Sequence, residues 1–483
     1  MRAAYPGRTA LDMRSREVRM WISLAASLAL AAKKSEPPPP PPFPDVAGRL
    51  IGASLIDPRP MADLVRLSDD IGHRLAGSAQ LDEAVGWGSD RMRGYGLEVR
   101  VEPVVVPVWI RGDERATLTS PDPRPLAMLG LGHSVGTPAG GVEAEVVAVS
   151  TFAELDALGR QVEGKIVLFD APFTDYGATV QYRWGAASAA AKYGAVAALV
   201  RSVTPVSLGV PHTGSMGYEE GIPKIPAAAL SVEDAASLHR LYRDGKAPRV
   251  HLEMSAHEAG EAPSANVIGE WRGREHPEEV VVLGCHLDSW DVGQGAQDDG
   301  AGCVAAMHAV AQIAALPWRP RRTVRAVLYT NEESGLAGGK AYAVAHASER
   351  LVAAMECDTG AGAPLGFHIG VEGYPASEEA PLVEALRRRL ATVADVLTVI
   401  GAGSLDNGHT GADIGPSIRP GVLGLGVSQD LTGYWPIHHT IADTVEKVDP
   451  VLLNRNVATM AVMAWFLADA DVPIVPPSLG THP

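Results

Sequence analysis

At 483 residues the chain exceeds what one hydrophobic core organises, so two or more domains are expected. Apolar residues make up 46% and charged residues 20%, which excludes wholesale disorder. Lys plus Arg number 41 against 57 Asp plus Glu, and the formal net charge of −16 repels a phosphate backbone, so no nucleic acid is expected as a partner.

The N-terminal segment carries Arg14, Arg16 and Arg19 ahead of a short apolar run over 21–32, which ends in small residues before Lys33 and Lys34. This is the pattern of a signal peptide over 1–32. The run is shorter than the roughly 20 residues of a membrane helix. Three widely spaced cysteines, Cys285, Cys303 and Cys357, indicate no disulfide scaffold. The reading is a secreted or periplasmic protein with no membrane span in its mature form.

Pro37 to Pro42 form an unbroken run that favours polyproline II and marks 33–44 as a spacer. Apolar positions at helical spacing predict two helices between 60 and 97, and the valine-rich stretch 97–108 predicts a strand. From 121 to 257 the texture changes to short β-like runs at 142–149, 165–170, 195–203 and 250–254, separated by glycine and proline, as in a separate small domain. After 264, strands at 280–284 and 323–330 alternate with helices at 303–314 and 334–346. A further helix at 381–391, a strand at 422–427 and a last helix with Asp449 as N-cap and Pro450 at its first position follow. Such alternation implies an α/β fold, with a mixed, largely parallel sheet flanked by helices.

Five short segments at the expected carboxyl ends of strands collect the polar residues of this half: Cys285-His286-Leu287-Asp288, Asp298-Asp299-Gly300, Asn331-Glu332-Glu333, Glu356-Cys357-Asp358, and His438-His439-Thr440 with Asp443. Ligand sites of open α/β sheets lie at those ends. Adjacent acids such as Asp298 with Asp299 and Glu332 with Glu333 repel one another at a dry strand end unless a cation relieves the charge. Histidines with carboxylates and no thiolate cluster suit zinc, with manganese or cobalt as alternatives, and a pair of such ions is the usual two-metal hydrolytic arrangement.

These segments resemble the di-zinc exopeptidase family of leucyl aminopeptidases and glutamate carboxypeptidases, and within it the carboxypeptidase Q group. The resemblance rests on His286 to Gly295 with Asp-Asp-Gly-Ala-Gly from Asp298, on Asn331 to Gly335, on Gly408 to Pro416, on His438-His439 and on Gly72 to Ser78. It implies the di-zinc exopeptidase fold, with catalytic parts at 45–120 and 258–470, a protease-associated domain inserted at 121–257, and a tail at 471–483. It further implies two Zn2+ ions bridged by Asp298, one completed by His286 and Asp358 and the other by Glu333 and His439. Glu332 becomes the general base and Asp288 the acceptor behind His286. His438, His409 and Asp413 become substrate contacts.

The expected activity is hydrolysis of small peptides as a carboxypeptidase or dipeptidase, in a chain with a family tendency to form homodimers. The alternatives are an aminopeptidase of the same family, a non-catalytic receptor or scaffold of the same fold, and a glutaminyl cyclase. A carboxypeptidase needs a cation for the substrate carboxylate, and Arg419 is available for that part.

Overall fold

The structure, a computed structural model, describes Met1, residues 39–370 and residues 376–475, with only the backbone at 376–378. The expected signal peptide, most of the spacer and the end of the tail lie outside the described residues. From Pro41 onward the described residues form one unit.

Helix α1 (Phe43–Leu55) follows the proline run directly, so residues 43 and 44 belong to it rather than to the spacer. The two helices expected between 60 and 97 are α2 (Arg59–Val65), extended by a wider turn over Arg66–Ile71, and α3 (Ala79–Gly94), which starts where the Ser78 hydroxyl accepts from the Leu81 amide at 3.2 Å. The valine-rich strand is β1 (Glu98–Ile110).

A second sheet then begins at Glu114, before residue 121 where the insertion is expected to start, because the chain passes from β1 into the next strand through only three residues. Its members are β2 (Glu114–Ser120), β3 (Arg124–Leu126), β4 (Met128–Gly130), β5 (Val142–Val149), β6 (Ile166–Phe169), β7 (Ala197–Arg201), β8 (Ala227–Leu230) and β9 (Arg249–Met254). They lie in the order β3-β2-β9-β5-β6-β7-β8-β4, parallel from β5 to β8. Helices α4 (Phe152–Leu158), α5 (Tyr176–Ala191) and α6 (Val232–Arg243) accompany them. Alternate residues of the central strands face opposite sides: Val146, Ala148, Ile166 and Leu168 pack with Ala235 and Leu238 of α6, whereas Val147, Val149, Val167 and Phe169 pack with Ala186 and Ala190 of α5.

The chain returns to the first sheet through β10 (His257–Trp271), β11 (His276–His286), α7 (Ala301–Ala314), β12 (Arg322–Tyr329), α8 (Ala337–Ala345), β13 (Arg350–Glu356), β14 (Pro364–Gly370), α9 (Ala376–Leu397), β15 (Ser404–Asn407), β16 (Leu423–Gln429) and α10 (Pro450–Asp469). The strand order is β1-β10-β12-β11-β13-β16-β14-β15, and β12, β11, β13 and β16 are mutually parallel. This is a mixed α/β sheet with helices on both faces. Val281, Leu283 and Cys285 of β11 pack on the side of α7, α10 and α1, whereas Val280 and Val282 face Tyr342 of α8.

Helix α10 is long and apolar enough to cross a membrane, but most of it is buried against α7 and α1 as a core helix. Its start agrees with the expected cap, since the Asp449 carboxylate accepts from the Val451 amide at 2.7 Å.

Candidate active site

Four parallel strands aim their carboxyl ends at one point. There β11 ends in His286, β12 leads to Asn331, Glu332 and Glu333, β13 leads to Asp358, and the chain after β16 reaches His438 and His439. Asp298 and Asp299 enter from the turn ahead of α7, joined by a cis peptide bond. Glycine is required next to them, because a Cβ on Gly302 would lie 2.1 Å from the Cys357 carbonyl and 2.2 Å from the Asp299 carboxylate.

Asp298 is the centre of the cluster. His286 Nε2 lies 3.3 Å from its Oδ1, and His439 Nε2 lies 3.2 Å from its Oδ2. Each imidazole has a second acid of its own, with His286 Nε2 3.0 Å from Asp358 and His439 Nε2 3.0 Å from Glu333. The opposite ring nitrogens are tied to main-chain carbonyls: His286 Nδ1 to Asp288 O at 3.0 Å and His439 Nδ1 to Thr213 O at 3.3 Å. A carbonyl only accepts, so both Nδ1 atoms carry hydrogen and both Nε2 atoms are turned to the carboxylates.

The supports are extensive. Asp443 Oδ1 and Oδ2 accept from the Gln297 and Asp298 amides at 2.7 and 3.1 Å. Asp299 accepts from the His286 and Gly302 amides at 3.2 and 3.1 Å. Arg74, wholly buried, donates to the carbonyls of Leu287, Gly72, Gln294 and Gly295 at 2.7–2.8 Å, clamping both ends of the loop between His286 and Asp298. This accounts for the Gly72 to Ser78 segment. Asn331 and His439 take left-handed backbone conformations, with φ of 65° and 60°. Leu336 N holds the first through Asn331 O at 2.7 Å, and Thr213 N holds the second through His439 O at 3.0 Å.

Among the protein's own groups, burial pushes Asp298 up, but hydrogen bonds from His286 and His439 outweigh it and hold the carboxyl well below the usual range. Burial likewise pushes both imidazoles down, yet Asp358 for His286 and Glu333 for His439 raise them well above it. Burial raises Glu332 well above a normal carboxyl; His286 opposes this, while Asp358, Glu333 and Asp288 add to it. Burial also pushes Asp443 up to about 7. Imidazolium–carboxylate pairing of this kind is what a divalent cation replaces.

The donor set fits such ions. Glu333 Oε1 is buried with no hydrogen-bond partner, and ligand atoms of His286, Asp298 and Glu333 lie within 4.8 Å of one another, as do those of His286, Asp299 and Asp358. Imidazole and carboxylate donors suit zinc.

The expected part of Asp288 is changed, and the other expected residues divide between the cluster and its surroundings. The group behind His286 is the main-chain carbonyl of Asp288; the Asp288 carboxylate stands 3.9 Å from Nδ1 and instead accepts from the Glu332 and Glu333 amides at 3.0 and 3.3 Å. His409 is exposed on its loop and bonds to none of the cluster. Asp413 is buried behind the site with both carboxylate oxygens unbonded, while its amide donates to Glu356 at 3.3 Å. His438 stays in the cluster, stacked on His439 at 3.6 Å with Nε2 3.6 Å from Asp298. Arg419 is exposed and donates to the Glu349 carbonyl at 3.2 Å, away from the cluster.

The profile of Peptidase family M28 matches residues 266–464. Carboxypeptidase Q of Xenopus laevis is 39% identical over 435 residues, covering 89% of this chain and 90% of that protein, and carboxypeptidase Q of Bos taurus gives the same figures. Among solved structures, a peptidase M28 precursor from Shewanella amazonensis SB2B superposes with a TM-score of 0.83 at 37% identity, covering 90% of this chain and 98% of that one. An aminopeptidase from Aneurinibacillus sp. strain AM-1 shares the fold at a TM-score of 0.61 and 20% identity, covering 89% and 97%. Identity of this extent, with a cluster of zinc-type ligands at the strand ends, makes the chain a metallopeptidase that belongs to peptidase family M28.

Proposed function

We propose that this peptidase is a two-metal exopeptidase acting on small peptides as a carboxypeptidase or dipeptidase. The carrying observation is the symmetric arrangement about Asp298, with one imidazole on each carboxylate oxygen and a separate acid beside each imidazole. His286 and Asp358 would hold one ion, Glu333 and His439 the other, and Asp298 both. Bound zinc supplies Lewis-acid activation of a water and of the scissile carbonyl.

Glu332 performs the proton transfers. Its amide is fixed by Asp288 at 3.0 Å, which holds the residue beside the Asp298 cluster, where a base must stand to reach the attacking water. It accepts a proton from the attacking water and returns it to the leaving amine nitrogen. His438, stacked on His439 with Nε2 3.6 Å from Asp298, would face the peptide. The complete ligand set and the base argue against a non-catalytic scaffold.

Likeness to proteins named carboxypeptidase Q over nine-tenths of their length supports cleavage beside a free carboxylate rather than a free amine. The mixed sheet β2 to β9, standing between β1 and β10 of the first sheet, supports a protease-associated insertion. The basic and apolar leader supports export.

The test is hydrolysis of dipeptides with free and blocked amino termini before and after chelation. Cleavage should tolerate the amino block, stop on chelation and return with zinc. Activity that persists after complete chelation contradicts the two-metal reading, and loss on amino blocking contradicts the carboxypeptidase.

A further inference from the structure

Five arginines are buried among the described residues: Arg74, Arg111, Arg183, Arg322 and Arg325. Four have strong acceptors. Arg111 pairs with Asp291 at 2.6 Å, Arg322 with Glu279 at 2.5 Å, and Arg325 with Glu270 at 2.6 Å and Glu349 at 2.8 Å, while Arg74 has its four short carbonyl bonds. Arg183 differs. No carboxylate lies within ion-pair distance of it among the described residues, and its partners are the Tyr176 hydroxyl at 3.0 Å, Ser215 O at 3.3 Å and Thr213 O at 3.4 Å. Burying a guanidinium on so weak a set is costly unless an anion joins it.

Its position is the second observation. Thr213 O, which accepts from Arg183 Nη1, is the same atom that accepts from His439 Nδ1, so the guanidinium stands one shared acceptor away from the cluster. Tyr176, which accepts from Nη2, meets His438 edge-on at 5.3 Å and stacks on Trp435 at 4.7 Å. Gly214 makes the approach geometrically feasible: a Cβ there would lie 2.3 Å from Arg183 Cζ. The nearby acids Asp298 and Glu333 are committed to His286 and His439.

We propose that Arg183, contributed by α5 of the second sheet, receives the C-terminal carboxylate of the peptide substrate and so sets the specificity of the site. This rests on the two-metal exopeptidase reading and deepens it. With Arg183 only 7% exposed, an incoming carboxylate meets a largely desolvated planar cation, the setting in which charge-assisted, forked hydrogen bonds are strongest.

The experiment compares alanyl-alanine with its C-terminal amide on the zinc-loaded full chain, together with calorimetric binding of the products alanine and alaninamide. The wild type should prefer the free acid and bind alanine over alaninamide. Arg183→Gln should raise KM for the free acid by roughly 10- to 100-fold, leave the amide nearly unchanged and lose alanine binding. Arg183→Lys, which keeps the cation but loses the fork, should retain part of the preference, so the test stands if the glutamine variant does not fold. An equal loss on both substrates would make Arg183 a brace for residues 213–215 and overturn the proposal, as would a wild type indifferent to the amide. A wild type that cleaves neither substrate defeats the exopeptidase reading itself.

Discussion

Thr213 and His439 are joined in both directions: the Thr213 amide donates to the His439 carbonyl at 3.0 Å, and His439 Nδ1 donates to the Thr213 carbonyl at 3.3 Å. The first residue belongs to a loop of the second sheet, the second to the metal-ligand candidates of the first. The second sheet is therefore part of the site, since it sets which nitrogen His439 offers and holds that residue at its positive φ.

Arg111 secures this junction. It is paired with Asp291 at 2.6 Å and donates to Thr213 Oγ1 at 3.3 Å and to Gly130 O. Arg111→Met leaves Asp291 partly buried without its cation, at about 3 kcal/mol of stability. Chemical denaturation should show that loss, and zinc titration should show weaker binding of one ion of the two. Unchanged affinity for both would separate the second sheet from the metal centre.

Glu332 is assigned proton transfer and not ligation. Glu332→Gln should reduce kcat by on the order of 10²- to 10⁴-fold while zinc content stays as in the wild type. A variant with wild-type turnover removes Glu332 from that part, and one that has lost metal moves it among the ligands.

A buried acid outside the cluster contributes to acid stability. Burial raises Asp63, but hydrogen bonds from His308 at 2.9 Å and from Tyr95, with the Arg91 ion pair at 2.7 Å, outweigh it and hold its carboxyl below the ordinary 3.8. A carboxyl depressed in the folded state contributes stability that is complete above its unfolded value and lost as pH falls through the folded one. The stability difference between wild type and Asp63→Asn should thus be constant, at roughly 1–3 kcal/mol, near neutrality and shrink below about pH 4. Denaturant midpoints at several pH values measure it, and a difference that grows on acidification contradicts the assignment.

Much of the site was legible because apolar runs that stop at His286, Asn331 or Glu356 mark strand ends, and polar residues just beyond such ends in a parallel sheet converge. The structure does bring His286, Asp298, Glu333, Asp358 and His439 together. What stayed hidden depended on tertiary approach. Thr213, in a loop of the second sheet, and Arg183, in helix α5 beside it, are far from the cluster in sequence and carry no motif. Whether Asp288 offers His286 its side chain or its main chain is a matter of about 1 Å that residue order does not encode. The second sheet begins at Glu114, ahead of residue 121, because β1 hands over to β2 before the texture of the sequence changes.

The two-metal centre is tested most directly by elemental analysis of the purified chain and of Asp298→Ala. The account predicts two zinc ions per wild-type chain and, because Asp298 alone touches both halves of the cluster, loss of tight binding of both in the variant. Two ions retained at wild-type affinity by Asp298→Ala, or a wild type that cannot be loaded with more than one, would contradict it.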